Sequence, residues 1–582
     1  RATGGMNAGD TVYQDENEFG ESAGVEKTLK TAAEKYADNA TITALAKTVS
    51  EQWAAYQADP KGYFDSVELM ELDTMIGGKG LNNPELVETL CSNSADAIDW
   101  LDEHGITLHS VSSFGGASVK RIHRPVDGDG KTVSVGSYMI PLLQENCDKA
   151  GVQTLLNTTA TEILTDANGA AVGVKATGAS GETVTVNAKA VVLATGGFGA
   201  NLDMVVEYKP ELKGFMTTNA AGAQGQGIEM ATAIGADTVD MDQIQIHPTV
   251  EANTAALITE GLRGDGAVLI NAEGKRFCNE DTGFVYMGNI TKYVPKFNGN
   301  NVDANHPDGS LGWYCQIYDS DYMSYANSPV PEQVMTKYIP GAVENPQGVF
   351  TNLIDTYKAD TIEELAGLLG VPADELQKTI DRYNELVTKG TDDDFHKPAD
   401  FLYPVVKAPF YAAKVGVALL AVVGGLSVNT DLQVLDDEKK PIEGLYATGN
   451  TSGDLYAIDY PINMAGNSNG RCVIWGYLLG KTMAKATASG EALTSRDELA
   501  DLAKDENGIV ASDTVYKDGS YTGTGKGRGG DMEVTVTITD GKISDIVVNS
   551  HAESSDIGAP ALDKLIQNAI AANSAEIDGA SG

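Results

Sequence analysis

The apolar positions of this chain change rhythm along its length. Up to about Ala150 they recur at helical spacing. In "NPELVETLCSNSADAIDWLDEHG" (83–105), Leu86, Leu90, Ala95, Ile98 and Leu101 fall near one face, and Gly105 ends the run. The period then shortens. "TATEILTDANGAAVGVKATGASGETVTVNAKAVVLATGG" predicts short strands separated by Asn-Gly and Ser-Gly turns. Two apolar strands run into the same Ala-Thr-Gly turn, in "AVVLATGGFG" (190–199) and "EGLYATGNTSGD" (443–454). A strand ending in such a turn lets backbone approach a pyrophosphate or a ribityl chain, as a dinucleotide site requires.

The stretch 242–420 is irregular and aromatic, with one helical pair in "TIEELAGLLG" and "PADELQKTIDRYNELVTKG", and reads as a cap inserted into a nucleotide-binding fold. "VGVALLAVVGGL" (415–426) reads as a buried strand and turn. An acidic linker, 487–512, precedes a separate unit at 513–582. In that unit "EVTVTITDGKISDIVV" (533–548) alternates about an Asp540-Gly541 turn, which predicts a hairpin. "DIGAPALDKLIQNAI" predicts an amphipathic helix with Leu562, Leu565, Ile566, Ala569 and Ile570 inward.

Composition narrows the ligands. The 582 residues are 42% apolar and carry 41 basic against 82 acidic side chains, a net charge of −41. Such a chain repels nucleic acid and anionic membrane surfaces and suits small-molecule ligands. No run of about 18 apolar residues predicts a membrane span. The five cysteines stand far apart without CxxC, and the seven histidines without HExxH, so no metal, iron–sulfur or c-type haem site is expected.

Seven segments occur together in a telling order: "RATGGMNAG", "GGASVKRIHRP", "LATGGFGAN", "GQGIEMATAIGA", "IQIHPT", "ITEGLRGDGAVLINAEGKRFCNE" and "GLYATGN". One Gly-rich piece alone is weak evidence; seven in sequence are not. Residues 1–486 resemble the FAD flavoproteins of the fumarate reductase/succinate dehydrogenase type, nearest the soluble fumarate and urocanate reductases. The tail "DGSYTGTGKGRGGDMEVTVTITDGKISDIVVNSHAESSDIGAPA" resembles the FMN-binding domain that accompanies such reductases. The resemblance implies an α/β (α+β) fold: a Rossmann-like FAD domain at 1–241 and 421–486, the cap at 242–420 and a small α+β FMN domain at 513–582. It also implies a strand and GxGxxG turn ahead of Arg1, and a flavinylated Thr or Ser beyond Gly582. The sequence is therefore expected to be a piece clipped at both ends.

Site residues follow from the resemblance position by position. Thr3, Gly4, Gly5 and Asn7 would form one half of an FAD cradle. Thr195, Gly196, Gly197, Gly449 and Asn450 would meet the dinucleotide, Asn450 standing where an acidic residue is more usual. Asn467 and Ser468 open a helix whose N-terminus would face the flavin N1/O2 edge and stabilise negative charge there. In this family FAD passes a hydride to an activated alkene, an arginine protonates the adjacent carbon, and histidines and arginines grip a substrate carboxylate. His247 and Thr259 match substrate contacts, Glu260 and Arg263 match the proton-relay pair, and Phe114 matches an apolar wall. Three positions depart from the pattern. Phe284 stands where the acid arginine falls, Ala421 replaces the second substrate histidine, and Asn463 replaces the carboxylate-clamping arginine.

A doubly charged fumarate would lose most of its counter-charge, and a buried unpaired carboxylate costs several kcal/mol. An enoate or enone other than fumarate is therefore expected. Tyr286 and Tyr460 are the candidate replacement acids, a role that a local field lowering the phenol pKa would favour. Competing readings are a reductase or dehydrogenase of a bulky, steroid-like enone, and an electron-transfer flavoprotein without catalysis. The expected cofactors are FAD and FMN, with no metal. The expected partners are a small unsaturated substrate and a membrane or soluble electron donor, without nucleic acid, and the expected location is extracytoplasmic.

Overall fold

The structure is a computed structural model. It describes residues 4–113, 117–178, 180–251, 255, 267–280, 313–321, 356–458, 460–483, 493–503, 512, 514–526, 531–551 and 558–575. The chain divides into two units, one made of 1–201, 221–244 and 421–510, the other of 202–220, 245–420 and 511–582.

The first unit begins with the expected helices, Ser22–Lys35, Ala40–Ala58, Val67–Gly77 and Val135–Lys149 among them. The long helical run at 83–105 is two helices, Pro84–Ser92 and Ser94–Glu103. Asn93 separates them: its backbone leaves helical geometry (φ −109°, ψ 7°), and its side-chain amide donates to Thr89 O at 2.8 Å. An Asn that hydrogen-bonds its own preceding turn competes with helix continuation. Strands Thr159–Thr165, Ala171–Thr177 and Thr183–Asn187 form the expected antiparallel meander. The stretch expected to be a plain linker contains a helix, Arg496–Ala503. Ser495 and Glu498 bond reciprocally across its first turn, at 2.7 and 3.2 Å, which is a capping box.

The second unit takes in Leu202–Ala220, a stretch inside the 1–241 expected for the first part of the FAD domain. The reason is a two-residue strand, Met216–Thr217, pairing in parallel with Ala418 and Leu419. Those residues lie on a long strand, Phe410–Val422, which also pairs with Ile244–Glu251, Tyr314–Asp319 and Thr356–Ala359. One face of this sheet buries Ile270, Cys315 and Ile317 against Leu365 and Leu376 of the helical pair Ile362–Leu369 and Ala373–Lys389. Residues 514–575 contain the expected hairpin, Asp531–Thr539 with Lys542–Ser550, a further strand, Gly519–Lys526, and the helix Gly558–Ala572. Among the described residues no helix is long and apolar enough to cross a membrane.

Candidate functional site

The two Ala-Thr-Gly turns lie side by side. Strand Val191–Leu193 pairs in parallel with Leu445, Tyr446 and Ala447, so both strands end at the same edge. Thr448 N donates to Leu193 O at 3.0 Å. Thr451 Oγ1 donates to Gly196 O at 3.1 Å, tying the second turn to the first. Two segments some 250 residues apart thus form one backbone rim containing Thr195, Gly196, Gly197, Gly449 and Asn450.

A helix, Asn467–Met483, points its N-terminus at the chain's beginning. Asn7 N donates to Gly466 O and Asn7 Nδ2 to Ala465 O, both at 3.0 Å, and Asn469 Nδ2 donates to Gly5 O at 2.8 Å. Only glycine fits at 466. Its φ is +83°, and a Cβ would lie 2.8 Å from Gly5 O. Gly470 is similarly tight, with Asn7 O at 2.6 Å from a would-be Cβ. Gly5 and Asn7 are therefore packed against the start of this helix, while Gly4 O accepts from Arg124 Nε at 3.0 Å.

Several polar atoms here are buried without a partner: Asn7 Oδ1, Asn467 Nδ2 and Oδ1, and Thr448 Oγ1. Asn467 is fully buried. Leaving a buried donor or acceptor unmade costs roughly 1–3 kcal/mol, so orphans along one rim beside a helix N-terminus call for a ligand.

Asn450 Oδ1 accepts from Ser468 Oγ at 3.2 Å and from Arg471 Nη2. Tyr460 OH accepts from Ser468 N at 2.9 Å, and the Tyr456 and Tyr460 rings meet edge-on at 5.2 Å. The field at Tyr460 is the reverse of the one expected. Burial pushes its hydroxyl up, and the Ser468 N–H only partly offsets this. Tyr460 stays protonated, and its oxygen is oriented by the helix terminus with the O–H left to donate. Asn463 Nδ2 donates to Asp73 O at 3.4 Å, which fastens it to helix Val67–Gly77. Ala421 lies on the Phe410–Val422 strand.

In the second unit His247 lies buried on strand Ile244–Glu251. Gln245 stands two residues earlier and shares its face. It is buried as well, and its Oε1 has no partner. Sequence reasoning passed over Gln245, although the alternation in "DQIQIH" places it on the histidine's side. Thr3, Phe114, Thr259, Glu260, Arg263, Phe284 and Tyr286 lie outside the described residues. Among the described residues no group of three or more His, Cys, Asp or Glu could hold a metal ion.

Comparison with known proteins agrees with this geometry. An FAD-binding domain family matches residues 40–463, and an FMN-binding domain family matches 527–582. The chain is 35% identical over 425 residues to an NADH:fumarate oxidoreductase of Klebsiella pneumoniae, covering 73% of this chain and 42% of that protein. It is 33% identical over 430 residues to a cytochrome-type fumarate reductase of Shewanella frigidimarina, covering 74% and 68%. A vinyl phenol reductase of Lactiplantibacillus plantarum is 30% identical over 416 residues, covering 68% and 78%.

Among solved structures, the open conformation of a flavocytochrome c3 fumarate reductase superposes with a TM-score of 0.64 at 29% identity, covering 83% of this chain and 71% of that one. A 3-ketosteroid-Δ4-(5α)-dehydrogenase from Rhodococcus jostii RHA1, in complex with 4-androstene-3,17-dione, gives a TM-score of 0.50 at 25% identity, covering 72% and 84%. The residues present fit a flavin dinucleotide. The glycine-lined rim, the orphaned Asn7 oxygen, the orphaned Asn467 amide and the helix N-terminus supply the backbone approach and the polar groups that it needs.

Proposed function

The chain belongs to the FAD-binding family that includes fumarate reductases, and from that premise we propose that it reduces an activated C=C bond other than that of fumarate. The observation that carries this is the neutral set at the anchor positions: Phe284, Ala421 and Asn463 stand where the family resemblance places charged or ionisable groups. Asn463 is turned to a backbone carbonyl, and no arginine stands beside it in the sequence. Two carboxylates brought to such a site would remain largely uncompensated.

FAD, when bound, supplies the hydride that the alkene accepts. The chain's own residues bind and orient. His247 and Gln245 offer polar groups from one strand face to a substrate carbonyl or single carboxylate. The retained Glu260 and Arg263, with Tyr286, are candidates for delivering the proton. Tyr460 is a second candidate on geometry, since Ser468 fixes its oxygen, while burial raises its hydroxyl and weakens it as an acid. An FMN-binding domain on the same chain supports the reductive direction, with electrons entering from a membrane or soluble donor. An extracytoplasmic location belongs to the same proposal and is read by cell fractionation.

The likeness to a ketosteroid dehydrogenase favours a second reading, a bulky uncharged enone. One panel separates the readings: flavin-loaded protein reduced with a viologen, then offered fumarate, a monocarboxylic enoate, a vinyl phenol and a steroid enone. We expect fumarate to reoxidise the enzyme at least about a hundredfold more slowly than the best of the others, since roughly 3 kcal/mol of lost charge pairing is two decades. Fumarate turnover equal to the best substrate overturns the proposal. Reoxidation by none supports an electron-transfer role.

A further inference from the structure

Arg471 sits in the first turns of the Asn467–Met483 helix and is 1% exposed. Its partners are all neutral. Nη2 donates to Asn450 Oδ1, Nη1 donates to Ser452 O at 3.3 Å, the guanidinium lies over the Tyr456 ring at 4.9 Å, and Nε has no partner. Among the described residues no carboxylate pairs with it. A guanidinium taken from water without a counter-charge is costly, and the helix N-terminus beside it adds charge of the same sign. This corner of the fold therefore holds an enclosed surplus of positive charge.

The arrangement also fixes Asn450. Its Oδ1 is held by Arg471 and by Ser468 Oγ. That assigns the amide: oxygen toward the guanidinium, NH2 away from it and available as a donor. With an acid at 450, the position's more usual residue type, Arg471 would have an ion-pair partner. With Asn450 its charge stays free to act on whatever occupies the rim.

We propose that Arg471 is a positioning and charge-supplying residue of the flavin site, holding Asn450 as a hydrogen-bond donor and matching the extra negative charge that bound flavin carries when reduced. This rests on FAD binding alone and not on the identity of the alkene.

The test uses the flavin-loaded protein without substrate, together with its apoprotein. Midpoint potential is read by equilibration with a reference dye, and stability by thermal unfolding of the apo form. Arg471→Met should weaken the preference for reduced over oxidised flavin about tenfold, moving a two-electron couple about 30 mV more negative. Arg471→Lys, which keeps the charge, should retain most of the potential.

Asn450→Asp should move the potential in the same direction as Arg471→Met while raising the apoprotein's Tm, because it gives the buried cation a partner of equal size. Should Arg471→Met not fold, Asn450→Asp still decides, since it leaves Arg471 in place. Stability changes in these variants with an unmoved potential would make Arg471 merely structural and overturn the proposal. So would a wild-type protein that binds no FAD.

Discussion

Arg276 and Arg471 both keep their side chains largely out of solvent, and the protein treats them in opposite ways. In the second unit Arg276 is held at 2.7 Å by each Glu280 oxygen and at 2.6 Å by Asp392, and its guanidinium lies over the rings of Tyr383 and Phe395 at 5.2 and 5.0 Å. Lys397 joins the cluster 3.6 Å from Glu280, so two cations meet two carboxylates. Arg121 in the first unit follows the same rule, with Asp65 gripping it through both oxygens and Asp73 closing the other side at 2.7 Å. Arg471 alone of the three lacks a carboxylate. Where charge serves the fold it is neutralised on the spot. Where it is left bare, the missing counter-charge points to something the chain itself does not supply.

The largest expected effect tests the first half of that contrast. Arg276→Met leaves Glu280 and Asp392 buried, with Lys397 the one cation paired to them among the described residues. Removing one partner of a buried pair typically costs roughly 3–5 kcal/mol. Denaturant unfolding should show a loss of that size for Arg276→Met and a clearly smaller one for Arg471→Met. Equal losses would erase the distinction, because Arg471 would then be as structural as Arg276.

Acid should separate the two units next. Burial pushes His123 in the first unit down to about 4, below its ordinary 6.5. Its ring nitrogens meet Thr11 Oγ1 at 2.7 Å and Arg121 O at 2.9 Å. A base whose folded pKa is lowered binds its proton first in the unfolded chain. Stability is thus full above pH 6.5 and falls as pH drops toward 4, by roughly 3 kcal/mol. In the second unit burial pushes Asp392 up, but Arg276 and the N–H groups of Lys397 and Phe395 outweigh this and hold it at about 2. That contribution persists down to about pH 4 and is lost only as pH falls through 2. Urea unfolding across pH 7 to 3 should slope downward from 6.5, and His123→Asn should flatten that slope. A wild-type profile flat down to pH 4 would contradict the buried neutral histidine.

How much of this was legible beforehand depends on whether the property is local. The meander at 159–187, the Asp540-Gly541 hairpin, the 362–389 helix pair and the helix opening at Asn467 are written in periods and turns, which neighbouring residues decide. The capping box at Ser495 was equally readable but was hidden by the acidic composition around it. The break at Asn93 depends on one amide choosing the preceding turn over the helix. Leu202–Ala220 joins the second unit through a strand of two residues, too short to leave a pattern. At the site, the motifs named Asn7, Asn450, Asn467 and Ser468, and the structure brings their segments together. They could not reveal Arg471 or the orphaned Gln245, because an absent counter-charge or partner is a property of the folded surroundings and not of any residue string.

The smallest expected effect bears on Asn450. Two donors hold its oxygen, the charged Arg471 Nη2 and the neutral Ser468 Oγ at 3.2 Å. A hydrogen bond to a charged partner contributes roughly 1.5–3 kcal/mol and a neutral one roughly 0.5–1.5. Ser468→Ala removes only the weaker donor. It keeps the Ser468 backbone N–H that orients Tyr460 and leaves the guanidinium to fix the amide. FAD affinity should therefore fall by less than about tenfold, with the flavin potential unchanged, while Arg471→Met moves the potential. Flavin titration and dye equilibration on the same preparations check both halves. If Ser468→Ala shifts the potential as far as Arg471→Met, the charge at 471 is not what the site uses, because the two variants share only the hold on Asn450.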